Sequence, residues 1–248
     1  MLFFLSLILI GLGISSCHSN QTPHTFMTYN VHNCIGMDKV TDFERIGRVI
    51  NEVHPEVVAI QEVDSFTERN HAFVLQEIAN TAKMHATFAR TIPYRGGTYG
   101  IGILSKEKPL TTQQVMLPGR EEQRTLLIAE FSNYVFCSVH LSLTEEDAFS
   151  SLPLIKQALN SYKKPVFIAG DFNSKPDSRT IQTMNQMATS LTRPDEFTFS
   201  TDSLYQCIDY VYQMNGNQPI ENIESGLVKN DLVRLASDHL PLYAIVKF

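Results

Sequence analysis

Apolar and polar positions follow two rhythms along this chain. Thr25 to Val31 reads as a first strand. Phe43, Ile46, Val49, Ile50 and Val53 then recur at helical spacing. The capping box Thr41-Asp42-Phe43-Glu44 precedes them, with Thr41 and Glu44 placed to satisfy the free N–H groups of a helix start. His54-Pro55 closes that helix, because the residue before proline avoids helical backbone angles. Val57 to Ile60 is a short β-branched run with the character of a buried strand. A second helix is expected over Glu68 to Met84. Strands follow at His85 to Thr91, Gly100 to Ser105, Arg124 to Phe131 and Tyr134 to Leu141. Thr144 to Tyr162 and Ser178 to Met187 are expected as helices. Pro165 to Ala169, Cys207 to Gln213 and Leu242 to Phe248 complete the strands. Early alternation followed by a strand-rich middle predicts an α+β fold, two packed sheets with helices outside, in one domain over 24–248.

The first residues stand apart. Leu2 to Ile14 is almost wholly apolar and uncharged, yet shorter than the roughly 20 residues a membrane span needs. It has the character of a secretory signal, although the usual positive start is missing. Ile14-Ser15-Ser16-Cys17 resembles a bacterial lipoprotein cleavage box. That resemblance implies a signal peptide over 1–16, Cys17 as the lipidated residue and a short tether over 17–23. The mature chain is then exported and held at a membrane through its lipid, or alternatively secreted.

Composition narrows the classes. A hydrophobic share of 43% with 19% charged residues excludes a wholly disordered chain. A net charge of -6 argues against a nucleic-acid coat, which needs clustered Lys and Arg. Beyond Cys17 the cysteines are Cys34, Cys137 and Cys207, an odd number that makes no disulfide framework, although one pair remains open to an oxidising compartment.

Polar residues break the pattern at the ends of the expected buried strands. Asn30 ends Phe26-Met27-Thr28-Tyr29-Asn30, and Glu62 ends Val57-Val58-Ala59-Ile60-Gln61-Glu62. His140 ends Phe136 to His140. Asp171 and Asn173 follow Val166 to Gly170, Asp209 lies in Cys207 to Val211, and Asp238 with His239 precedes the last strand. A carboxylate buried there is costly unless it is paired or holds a cation. Any one of these fits a turn or a satisfied core residue, but six together by accident do not.

Taken in order, Tyr29-Asn30-Val31, Gln61-Glu62-Val63, His140-Leu141, Gly170-Asp171-Phe172-Asn173, Ile208-Asp209-Tyr210 and Ser237-Asp238-His239 resemble the endonuclease/exonuclease/phosphatase superfamily. The resemblance spans residue 24 to the C-terminus. It implies a four-layered α/β/β/α sandwich of two mainly antiparallel sheets and phosphate-ester cleavage with Mg²⁺, or Mn²⁺ in its place. Glu62 is then the first metal ligand, with Asn30 and Asp238 assisting directly or through water. Asp171 orients or deprotonates the attacking water, and Asn173 positions phosphate or nucleophile. Asp209 pairs with His239, which contacts the phosphate as a charged donor or as a base. His140 faces it from the other side, as a donor or as an acid for the leaving oxygen. His32 stands where abasic-site endonucleases carry an Asp, which argues against a second metal ligand there. No acidic partner for His140 is visible near Tyr99 to Gly102.

On the substrate side, Arg124, Tyr94 and Arg95 are the candidates, with Gly96-Gly97 after Arg95 as a loop able to close over a ligand. The implied activity is hydrolysis of a phosphodiester, in nucleic acid or in a phospholipid headgroup, by a monomer. The alternatives are a sugar-phosphate or inositol-phosphate phosphomonoesterase and a non-catalytic surface binding lipoprotein that retains the fold.

Overall fold

The computed structural model describes residues 22–214 and 220–248. The apolar leader and Cys17 lie outside the described residues. In chain order the elements are β1 (His24–Asn30), a 3-10 turn (His32–Cys34), α1 (Phe43–Ile50), β2 (Val57–Ser65), α2 (Val74–Ala82), β3 (His85–Tyr94) and β4 (Gly97–Ser105). Then come β5 (Thr111–Leu117), β6 (Arg124–Glu130), β7 (Val135–His140), α3 (Glu145–Leu159), β8 (Val166–Asp171), α4 (Arg179–Met187), β9 (Ala188–Ser190) and β10 (Asp209–Met214). β11 (Glu221–Leu227), α5 (Asp231–Ala236) and β12 (Leu242–Lys247) close the chain.

Two six-stranded sheets result, ordered β11-β12-β1-β2-β4-β3 and β5-β6-β7-β8-β10-β9. β1 runs parallel to β2, and β7 to β8; the other described pairings are antiparallel. The outer face of the first sheet (Met27, Tyr29, Val58, Ile60) packs on Ile46, Val49, Ile78 and Val233 of α1, α2 and α5. The outer face of the second (Cys137, Val139, Ile168, Tyr212) packs on Leu152, Ile155, Ile181 and Met184 of α3 and α4. The four layers of the α/β/β/α sandwich are thus present. No described helix is long and apolar enough to cross a membrane.

Alternation along the strands sorts what lies between the sheets, because successive side chains point to opposite faces. On β1 the inward positions are Phe26, Thr28 and Asn30; on β7 they are Phe136, Ser138 and His140; on β8 they are Phe167, Ala169 and Asp171. The space between the sheets therefore grades from aromatic at one end, through hydroxyl and amide groups, to ionisable groups at the other. At the apolar end the Phe26 and Phe167 rings lie 4.4 Å apart and Phe26 and Phe136 5.5 Å. In the middle the Thr28 hydroxyl donates to Gln61 at 3.2 Å, and Gln61 Nε2 reaches Ser138 at 3.4 Å. Phe167 is fully buried. Phe167→Ala is expected to lower stability by about 3–5 kcal/mol in urea unfolding.

Several expectations need correction. The α1 cap is Asp42, whose carboxylate accepts the Arg45 N–H at 2.8 Å, while Thr41 bridges to Ile35. The second helix begins only at Val74. Arg69 and Asn70 are drawn aside to the buried Asp64 carboxylate, at 2.6 and 2.7 Å. Arg95 and Gly96, with φ of 41° and 79°, form the two-residue turn of the β3–β4 hairpin and not a closing loop. A Cβ at Gly97 would lie 2.3 Å from the backbone oxygens of Ser65 and Phe66, so the hairpin packs flush there. Cys34, Cys137 and Cys207 are all buried and free, with no pair formed. β5, β9, β11 and α5 were not expected from the sequence.

Candidate active site

Register brings the strand ends into one row. His140 of β7 is paired across the sheet with Asp171 of β8, and Asp171 with Asp209 of β10. From the facing sheet, Asn30 ends β1 beside Gln61 of β2. Glu62 faces the same space for a different reason. Between Ile60 and Val63 the ladder with β4 slips by a β-bulge, and Glu62 takes the left-handed φ of 62°. An extra residue in one strand re-aims a side chain, and non-glycine residues hold such angles only where their surroundings enforce them. His239 arrives from the segment after α5. The Ser237 hydroxyl anchors that segment by donating to the Asn30 carbonyl at 2.8 Å.

Of these, Glu62, His140, Asp171 and His239 line a cavity of about 460 Å³. The Asn30 Nδ2 donates to Glu62 Oε1 and to Asp171 Oδ2, both at 3.1 Å, while its Oδ1 accepts the His32 N–H at 3.1 Å. Asn30 thus bridges two carboxylates and turns its oxygen away from the cavity. The Nε2 atoms of His140 and His239 lie 3.6 and 3.7 Å from Asp171 Oδ2. Asp171 is therefore the acidic neighbour of His140 that the sequence near Tyr99 did not reveal. His239 Nδ1 pairs with Asp209 Oδ2 at 2.8 Å. The Phe199 ring covers the His239 imidazole at 4.8 Å.

Burial and charge set unlike protonation states. Desolvation works against charge on His239, but Asp209 and Asp171 outweigh it and raise its pKa to about 10. For His140, desolvation comes first, then the charges of Arg124 and His239, and all three push its pKa well below the usual value. Asp171 is pushed up to about 7 by desolvation and by Asp209, against the pull of His239. At neutral pH the site thus holds an imidazolium, a neutral imidazole and a carboxyl poised to take or give a proton. In an NMR titration without added metal, His239 is expected to stay protonated beyond pH 8 and His140 to stay neutral at pH 6.

The remaining candidates divide. Asp238 faces the cavity, with Oδ1 4.0 Å from His32 Nδ1. Asn173 faces it too, but its Nδ2 donates to the Leu141 carbonyl at 3.0 Å and its N–H to Asp171 Oδ1 at 2.8 Å. Arg124 lines the cavity with its guanidinium 3.3 Å from Glu122 and 3.5 Å from Glu121. Tyr94 and Arg95 are not among the lining residues. Tyr94 is sandwiched by guanidinium groups, Arg69 at 4.7 Å and Arg95 at 5.4 Å from its ring centre. Tyr99 and Glu122 line the cavity instead. Tyr99 shares its inward parity with Ile101 and Ile103, a signal open to sequence reading; Glu122 comes from the β5–β6 loop and had none. Desolvation raises the Glu122 pKa, Arg124 opposes it and Glu62 adds to it.

The donor set suits a hard cation. Asp171, Asp209 and His239 bring donor atoms within 4.8 Å of one another, but the pairing of His239 with Asp209 occupies that imidazole, and the further carboxylates open to the cavity are those of Glu62 and Asp238. Glu62 adds a further carboxylate through the Asn30 bridge. Oxygen donors of this kind are what Mg²⁺ and its relatives take.

Comparison with known proteins bears on the fold and the family. None of the curated proteins compared matches the chain. Among solved structures, an endonuclease/exonuclease/phosphatase from Beutenbergia cavernae is similar with a TM-score of 0.75 at 22% identity, over 91% of this chain and 72% of that one. One from Bacteroides vulgatus gives 0.74 at 17% identity, over 92% and 100%. D. rerio TDP2 complexed with a single-strand DNA product gives 0.70 at 17% identity, over 92% and 100%. At these identities the likeness speaks for the fold. The model of the endonuclease/exonuclease/phosphatase family matches residues 27–245, and with that match the chain belongs to this family, whose members are typically hydrolases acting on phosphate esters.

Proposed function

We propose that the chain is a divalent-metal-dependent phosphodiesterase. The observation that carries this reading is the convergence of Asn30, His140 and His239 on the buried Asp171 carboxyl. A group that titrates near neutrality, beside an imidazolium, is suited to taking a proton from water. Asp171 accepts that proton, and the Asn30 amide fixes its orientation. The His239 imidazolium, held charged by Asp209, faces the phosphate and stabilises its growing negative charge. His140 donates a hydrogen bond to the phosphate from the opposite side, and the leaving oxygen takes a proton from solvent water. Glu62 and Asp238 would hold Mg²⁺, with Asn30 securing Glu62. When bound, the ion neutralises phosphate oxygens. That D. rerio TDP2 is complexed with a DNA product supports phosphodiester chemistry on this fold.

We also propose that this chemistry takes place at a membrane surface, with the chain tethered through Cys17. The sequence around Cys17 supports that reading.

The test is hydrolysis of bis(p-nitrophenyl) phosphate, with plasmid nicking run in parallel. Turnover with Mg²⁺ that vanishes in EDTA and in His239→Ala is the expected result. No turnover of either substrate with Mg²⁺ or Mn²⁺ would remove the phosphodiesterase reading.

A further inference from the structure

The cavity lining is mixed in chemistry. Its polar part includes Glu62, Glu122, Tyr99 and Arg124. Arg124 is the lone arginine among the lining residues, and Glu122 and Glu121 already engage it. Arginines of neighbouring loops are engaged as well, Arg69 by Asp64 and Arg120 by Asp147. Carboxylates outnumber cations on the lining, so a ligand with several phosphates meets no matching set of positive groups. Leu143, Phe199 and Ile208 supply the apolar part of the lining.

Leu143 is 70% exposed although it lines the cavity. Its loop is pinned from beneath. The Glu121 carboxylate accepts the Ser142 hydroxyl at 2.6 Å, the Leu143 N–H at 2.7 Å and the Thr144 hydroxyl at 3.3 Å. On the other side, Asn173 holds the Leu141 carbonyl. An apolar side chain presented to water by a fixed loop is ready to cover an apolar ligand without further loss of conformational freedom. Tyr205, 56% exposed, has its ring 6.1 Å from that of Phe199.

Resting on the phosphodiesterase reading, we propose that this cavity selects esters with a single phosphate and an apolar or aromatic substituent, seated on Leu143 and Phe199, over polyanionic phosphate esters. The experiment measures competition against bis(p-nitrophenyl) phosphate hydrolysis at fixed free Mg²⁺, with diphenyl phosphate and inositol 1,4,5-trisphosphate as competitors. Diphenyl phosphate is expected to bind at least about tenfold more tightly, a difference of about 1.4 kcal/mol. Leu143→Glu is expected to weaken diphenyl phosphate about tenfold and to raise KM for the reporter similarly, with kcat within about twofold, whereas Leu143→Met leaves both near wild type. Leu143 is exposed, so both variants are expected to fold, as an unchanged Tm would show. A trisphosphate that binds equally well or better, or a silent Leu143→Glu, would overturn the selectivity while leaving the hydrolysis standing. Absence of any reporter hydrolysis would overturn both.

Discussion

Asp171→Asn is expected to lower kcat by about 10³-fold while leaving the melting temperature within a few degrees of wild type. The amide keeps the shape of the side chain and can still accept from either Asn30 or the Asn173 N–H, which now approach at 3.1 and 2.8 Å. What it loses is the ability to take a proton. Stability is spared because the fold does not favour the ionised carboxyl. Desolvation and the nearby Asp209 raise its pKa to about 7 from an ordinary 3.8. The neutral acid is the form the fold prefers, so this group's contribution to stability is greatest below pH 3.8 and is lost as pH rises through 7. Asparagine fixes the neutral state. The informative comparison is kcat beside Tm at pH 8. A fall in Tm large enough to explain the lost turnover would remove Asp171 from its role as proton acceptor.

Asp209→Ala should act in the opposite sense, on stability first. Asp209 and His239 are both almost fully buried and meet at 2.8 Å. Breaking a buried charge pair by removing one partner costs about 3–5 kcal/mol, because the remaining charge is left without compensation. The pH dependence has a definite sign. The His239 pKa is raised from 6.5 to about 10, so the stabilisation is fully present below pH 6.5 and is lost as pH rises through 10. The gap between wild type and Asp209→Ala in urea unfolding is therefore expected to be widest near pH 6 and to narrow towards pH 10. A gap that does not change with pH would mean that Asp209 contributes by packing and not by charge. Turnover should fall with the loss of the imidazolium.

The residues that form the site were legible because of where they sit in the strand rhythm. Asn30, His140 and Asp171 occupy inward positions that a buried strand would give to valine or isoleucine, and a carboxylate there is costly unless it is paired or holds a cation. The fold class was legible for the same reason, since fully buried strands such as Val166–Asp171 announce themselves by continuous apolarity. β5 and β11 did not, because they are edge strands whose side chains face mostly water, and Thr111-Thr112-Gln113-Gln114 reads as loop. The overlong second helix has a related cause. Arg69 and Asn70 suit a helix locally, and a tertiary partner, Asp64, takes them away from it. Glu62 was named without its reason, since a bulge leaves no mark in alternation. Glu122, Leu143 and Phe199 come from three separate loops, and only the closed sandwich brings them together.

The second sheet is complete by residue 214, whereas the first waits for β11 and β12 to return to it. β12 lies between β11 and β1, and the contact of Ser237 with Asn30 spans 207 residues of chain. Contacts between such distant segments carry the greatest closure entropy and form late. His239 and Asp238 sit on that same returning segment. A chain still emerging from the ribosome can thus have its second sheet folded while the candidate site is incomplete, and the site closes with one of the last steps of assembly.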